Sequence, residues 1–249
     1  MTAKITKLAR PADPTVDQVF EEFLAAQRAR LAPRTFRNYD DVIELLRGYL
    51  NGYGHQSLPT EEAALFRRHY DAEGDEHREF CQLFGPEKIV DMLGGFLGYY
   101  MIRKVVCGED FKRAAGTVAK KLSRWLAEQG YVAEEAAREG VDLGAAAARD
   151  LPRAERAADM LRDATDRLDI DVQALPDDDY LEFDYLTIVK VEPGRLWVEV
   201  WEGNERTIGP IPVPKAATEL LRQGWRVSCS LARIRGTWHP VEMANVYPG

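Results

Sequence analysis

YLEFDYLTIVKVEPGRLWVEVW, residues 180–201, is where the chain changes from helical to extended periodicity, and its reading decides the fold. In RLWVEVW the side chains alternate across a pleated strand, so Leu196, Val198 and Val200 point one way and Trp197, Glu199 and Trp201 the other. Pro193-Gly194 breaks the run after YLEFDYLTIVKVEP, as a turn between two strands does. Working outward, ERTIGPIPVP reads as a third strand, PKAATELLRQG as a short helix, and WRVSCSLARIRG and TWHPVEMANVYP as two more strands. Gly203-Asn204 and Gly236-Thr237 supply the other turn signals. Five strands with one helix between the third and fourth predict a small β-barrel over 181–249, either OB-like or SH3-like.

Upstream the texture is helical. PDDD at 176–179 marks a boundary, and the Ala-rich acidic segment 134–171 precedes it. Pro152 suits an early position of a helix carrying Leu151, Ala158, Leu161 and Leu168, a thin stripe that fits a connector or a homodimerising element. The strongest helical pattern runs from Glu109 to Gln129: Phe111, Ala115, Val118, Leu122 and Trp125 recur every three or four residues, opposite Arg113, Thr117, Lys120 and Arg124, and Gly130 ends it. EKIVDMLGGFLGYYMIRKVV, 87–106, is apolar but closely bracketed by charge, which predicts a buried helix. Thr15 caps a first helix through Val19, Phe20, Phe23 and Leu24. Pro33 opens a second, with Phe36, Tyr39, Ile43, Leu46 and Leu50 on one face, stopping near Asn51-Gly52. The expected organisation is therefore α+β and multidomain: a helical domain over 1–135, an acidic helical connector over 136–180, and the barrel over 181–249.

Composition narrows the function classes. Cys81, Cys107 and Cys229 are odd in number and widely spaced, which argues against a disulfide framework or a zinc site. No run of about 18 apolar residues and no apolar signal core is present, so the expected compartment is the cytoplasm, with no membrane partner. A formal charge of −8 would count against a polyanion binder, but the acidic excess is local. Residues 1–130 hold 19 basic and 19 acidic side chains, residues 131–180 hold 6 and 14, and residues 181–249 hold 8 and 8.

Two stretches carry a family resemblance. LAPRTFRNYDDVIELLRGYL, 31–50, and TVAKKLSRWLAEQGYV, 117–132, resemble parts of the SAM-like core-binding domain of tyrosine recombinases and phage integrases. The resemblance implies a small helical bundle that grips duplex DNA. It does not extend to the recombinase catalytic domain, which supplies a His-x-x-Arg pair and a tyrosine nucleophile assisted by cations. His55, His69, His77 and His239 are each followed at the third position by a residue other than arginine, and the C-terminal strands are too short to form that domain. Tyr247 is thus expected to be a barrel residue.

The candidate sites follow. Arg28, Arg30, Arg34 and Arg37 surround the start of the second helix, where backbone N–H groups and the helix dipole favour phosphate. Arg113, Lys120 and Arg124, flanked by Lys112 and Lys121, form a basic stripe whose bland reading is a solvated helix face. HYDAEGDEHRE, 69–79, is rich in metal-ligand types but fits no ligand spacing, and a solvated loop is the better reading. Trp197 and Trp201, beside Glu199, offer a surface for a protein partner. The sequence therefore predicts a non-catalytic double-stranded DNA-binding protein, with a protein-interaction module as the alternative, and with no cofactor or metal.

Overall fold

A computed structural model describes residues 11–168, 170–201 and 205–249. A helical N-terminal part is followed by a five-stranded antiparallel open sheet, an α+β arrangement. The chain divides into two compact units, one built from residues up to Phe96 together with Ala114–Ala145, the other from Leu97–Arg113 together with Ala146–Gly249. Most of the N-terminal polar arm and the Gly203-Asn204 turn lie outside the described residues. No helix among the described residues is long and apolar enough to cross a membrane.

In the first unit, helix α1 (Val16–Arg28) begins where Thr15 Oγ1 accepts from the Gln18 N–H and the Gln18 side chain accepts from the Thr15 N–H, a reciprocal cap. It buries Val16, Val19, Phe20, Phe23 and Leu24. Helix α2 (Pro33–Tyr53) answers with Tyr39, Val42, Ile43, Leu46 and Leu50. Arg47 of α2 reaches back to Asp17 and Glu21 of α1 at 3.2 and 2.9 Å. Helix α3 (Thr60–Tyr70) buries Phe66 alone. The apolar segment is helical as expected: α4 (Glu87–Gly95) runs into a single wide π-turn at Phe96–Tyr100 and on to α5 (Met101–Arg103).

Helix α6 (Glu109–Glu128) leads to helix α7 (Glu134–Thr165), and the two cross closely. A Cβ on Gly144 of α7 would lie 2.5 Å from the Lys120 nitrogen and 2.8 Å from the Gly116 oxygen, so only glycine admits this approach. The expected helix start at Pro152 is not found. Pro152 lies inside α7, which is already wound for about five turns before reaching it, so the proline continues a formed helix and removes only one internal hydrogen bond.

The second unit has the strands β1 (Tyr180–Glu192), β2 (Arg195–Trp201), β3 (Glu205–Pro212), β4 (Arg226–Ile234) and β5 (Thr237–Tyr247), with helix α8 (Lys215–Leu220) between β3 and β4. Their order across the sheet is β3-β2-β1-β4-β5, antiparallel throughout. The expected barrel is not closed: β3 and β5 lie near one another, but no ladder joins them among the described residues. Pro210 and Pro212 in β3 and Pro240 in β5 lack the donors that a closing ladder would need. One face of the sheet buries Leu186, Ile188, Leu196, Val198, Val200, Ile208, Ile211, Val227 and Leu231. Ala154, Ala157, Ala158 and Leu161 of α7 pack into the same cluster, so this stretch of the acidic segment is core.

Candidate nucleic-acid interface

The turn between α1 and α2 gathers the first set of arginines. The N–H groups of Arg30 and Leu31 donate to the Gln27 carbonyl at 3.1 and 3.0 Å, which closes the end of α1. Pro33 then starts α2 at the position where its missing N–H costs nothing. Ala32, the N-cap, has no side-chain acceptor, and the first turn holds no acid, so the backbone donors there have no side chain to satisfy them. Arg28, Arg30, Arg34 and Arg37 are all exposed, and none is within ion-pair distance of a carboxylate among the described residues. The Arg28 guanidinium lies 4.7 Å from the Phe36 ring centroid. The two residues line an open groove of about 390 Å³ with Leu31, Pro33, Arg37 and Asp40.

Behind this turn the aromatic packing is fixed. Phe23 contacts Tyr39 and Trp125, with centroids 6.1 and 5.5 Å away, and Trp125 meets Tyr131, whose hydroxyl donates to Glu22 at 2.5 Å. This packing supports the arginine-bearing backbone, and Arg30, Arg34 and Arg37 are exposed beside it.

The second predicted set is more dispersed. Arg113 is exposed and pairs with Asp110 at 3.1 Å. Lys112 is buried and its ammonium pairs with Glu155 of α7, so it serves packing. Lys120 and Lys121 are half-buried, Lys120 being the residue whose backbone Gly144 approaches. Arg124 is exposed. The face opposite the apolar stripe is thus partly covered by α7, through small residues distant in sequence.

Trp197 and Trp201 project from the open face of β2, opposite buried Leu196, Val198 and Val200. Trp197 lies close against Gly209, where a Cβ would fall 2.3 Å from the indole. The Lys190 ammonium sits 4.4 Å from the Trp197 ring centroid and 2.8 Å from Glu192. Trp201 is 72% exposed. Its cross-strand partner is Glu205, and Glu199 stands opposite Thr207 on the same face. Partial desolvation and then the neighbouring Glu205 carboxylate push the Glu199 carboxyl above its ordinary value. Sequence reasoning does not find Lys190, Glu205 and Gly209 as members of this surface, because register across three strands brings them together. A Trp facing a Gly across a predicted hairpin is the available signal.

The remaining motifs have structural roles. His77 Nδ1 lies 2.9 Å from the Tyr70 carbonyl, and Arg78 reaches the carbonyls of Asp75 and His77 at 2.6 Å. No group of three or more His, Cys, Asp and Glu side chains is gathered for a metal among the described residues. Burial raises the Cys229 thiol to about 12 and also raises Cys81 and Cys107. Tyr247 is buried and tilts against Tyr185 with centroids 5.4 Å apart. No protein-family model, curated protein or solved structure matches the chain.

Proposed function

We propose that the protein binds double-stranded DNA without reacting with it, through the turn between α1 and α2, as an accessory to recombination or to a mobile element. One observation carries this reading: four exposed arginines, with no carboxylate partner among the described residues, surround a helix start that has neither cap nor acid. Exposed cations and oriented N–H groups there suit phosphate oxygens, the sequence-independent part of a duplex. The resemblance of 31–50 and 117–132 to a SAM-like core-binding domain supports the same assignment. The missing His-x-x-Arg pair supports a role without strand cleavage. For the sheet, the OB-like alternative is favoured over the SH3-like one by the strand order, by α8 between β3 and β4, and by the nearness of β3 and β5.

The test is anisotropy of a fluorescent duplex titrated with the full chain across a salt series. Binding should weaken with salt, and the triple variant Arg28→Glu, Arg34→Glu, Arg37→Glu should lower the log–log slope by about 2 to 3, near 0.9 for each phosphate that is no longer neutralised. Arg113→Glu, whose side chain pairs with Asp110, should change it by less than about 1. No binding at low salt, or an unchanged slope in the triple variant, would overturn the assignment.

A further inference from the structure

The open face of β2 and β3 holds two tryptophans in different states. Lys190 occupies Trp197, with its ammonium held between an indole face and the Glu192 carboxylate. Four residues along the same strand, and therefore on the same side of the pleat, Trp201 offers its indole with no cation over it and no ring against it among the described residues. Beside it stand Glu199 and Glu205, which are close enough for Glu205 to raise the Glu199 carboxyl, and neither is ion-paired with a described cation. This half of the face repeats the arrangement that grips Lys190, an aromatic plane next to carboxylate oxygens, without a cation from the described chain.

We propose that the β2–β3 face at Trp201, Glu199 and Glu205 docks a lysine- or arginine-bearing segment of a partner protein, one cationic side chain stacking on the indole and engaging the two carboxylates. Charge complementarity selects this occupant. A cation over Trp201 adds attraction to the ring and removes the repulsion between the carboxylates. A nucleic-acid strand could stack a base on the indole, but its phosphates would meet that same carboxylate pair. The edge of β3 is a poorer docking element, since Pro210 and Pro212 withhold donors that an added strand would require. The proposal is independent of duplex binding, which uses residues of the other unit.

The experiment uses the full chain labelled at its indole nitrogens and follows the tryptophan N–H resonances by NMR during titration with an acetylated, amidated Gly-Arg-Gly-Arg-Gly peptide. The Glu-substituted peptide and oligothymidylate serve as the other probes. The expected result is saturable movement of the Trp201 resonance, assigned by its loss in Trp201→Ala, with the arginine peptide alone. Affinity should fall tenfold or more in the double variant Glu199→Gln, Glu205→Gln, whose Trp201 remains to report it. The variant Arg28→Glu, Arg34→Glu, Arg37→Glu should bind the peptide as the wild type does, which separates this site from duplex binding. Equal movement with the acidic peptide, unchanged affinity in the double glutamine variant, or preferential movement with oligothymidylate would each overturn the proposal.

Discussion

Glu199 and Lys190 show how the same exposed strand face treats opposite charges. Lys190 has both an indole and a carboxylate, whereas Glu199 has a second carboxylate for a neighbour. Desolvation and Glu205 raise the Glu199 carboxyl above its ordinary 4.5. A raised carboxyl binds its proton more tightly in the folded state than in the unfolded one. Its favourable contribution is therefore complete below the ordinary value and is lost as pH rises through the folded value. Glu199→Gln removes the titration and keeps the shape. The variant should melt with the wild type near pH 3.5 and above it beyond about pH 6, as read by thermal unfolding at the two pH values. A variant that melts lower than the wild type at neutral pH would show that the glutamate is held by an attraction instead. Trp197 and Trp201 are legible as one face from the alternation in RLWVEVW, since a period of two leaves no other arrangement once Leu196, Val198 and Val200 are inside. Their different states are not legible, because Lys190 and Gly209 reach Trp197 through register alone.

At the scale of elements, the sequence reveals what depends on local periodicity and conceals what depends on small side chains. α1 is set by its Thr15–Gln18 cap and α6 by its apolar spacing, and the strand boundaries follow from turn residues. In the sequence α7 reads as a helix that starts near Pro152 with a thin stripe, because the residues it buries include Ala154, Ala157, Ala158 and Gly144, whose small apolar surface gives a weak pattern. Small size is the point at its crossing with α6, where the Gly144 position faces backbone atoms that no rotamer change can move. Gly144→Ala should destabilise the protein by about 1 to 3 kcal/mol despite alanine's better helix propensity. Gly48→Ala, in α2 with nothing within 4 Å of the new methyl, should be neutral or stabilising by about 0.5 to 1 kcal/mol. Urea midpoints compared at equal slope read both, and a Gly144→Ala midpoint at or above the wild type would mean that α7 withdraws from α6 without cost. The basic stripe of α6 is less open than its spacing implies for the same reason: Gly144 brings the backbone of α7 onto Lys120. The openness of the sheet is likewise hidden, since it rests on whether β3 and β5, which are distant in sequence, meet in a ladder.

For the whole molecule the question is how a chain of charge −8 is compatible with the proposed binding of phosphate at the arginine turn. The distribution along the sequence gives the first part of the answer, with the helical 1–130 region balanced and the excess acid confined to 131–180. The structure adds that this acidic segment is largely a single helix, so its carboxylates are fixed to a frame and cannot collapse onto the nearest cation. Some are consumed locally, as Glu155 is by Lys112 and Asp159 by Arg162 at 2.5 Å. Glu139, Asp142, Asp163 and Asp166 are exposed and have no ion pair among the described residues, so they contribute to the field through water. Screening limits that field to about 8 Å at physiological ionic strength and extends it to about 30 Å at 0.01 M. Neutralising the four, as Glu139→Gln, Asp142→Asn, Asp163→Asn and Asp166→Asn, takes the net charge from −8 to −4 without touching a buried group. Duplex affinity of this variant should rise about threefold to tenfold at 0.02 M salt and converge on the wild type by about 0.3 M, where the Debye length is only several ångströms. Anisotropy at the two salt concentrations measures both. A gain that persisted at high salt would mean that the acids contact the DNA site directly. Equal affinity at low salt would mean that the arginine turn acts outside the reach of the acidic helix, and that the net charge of the chain says nothing about its grip.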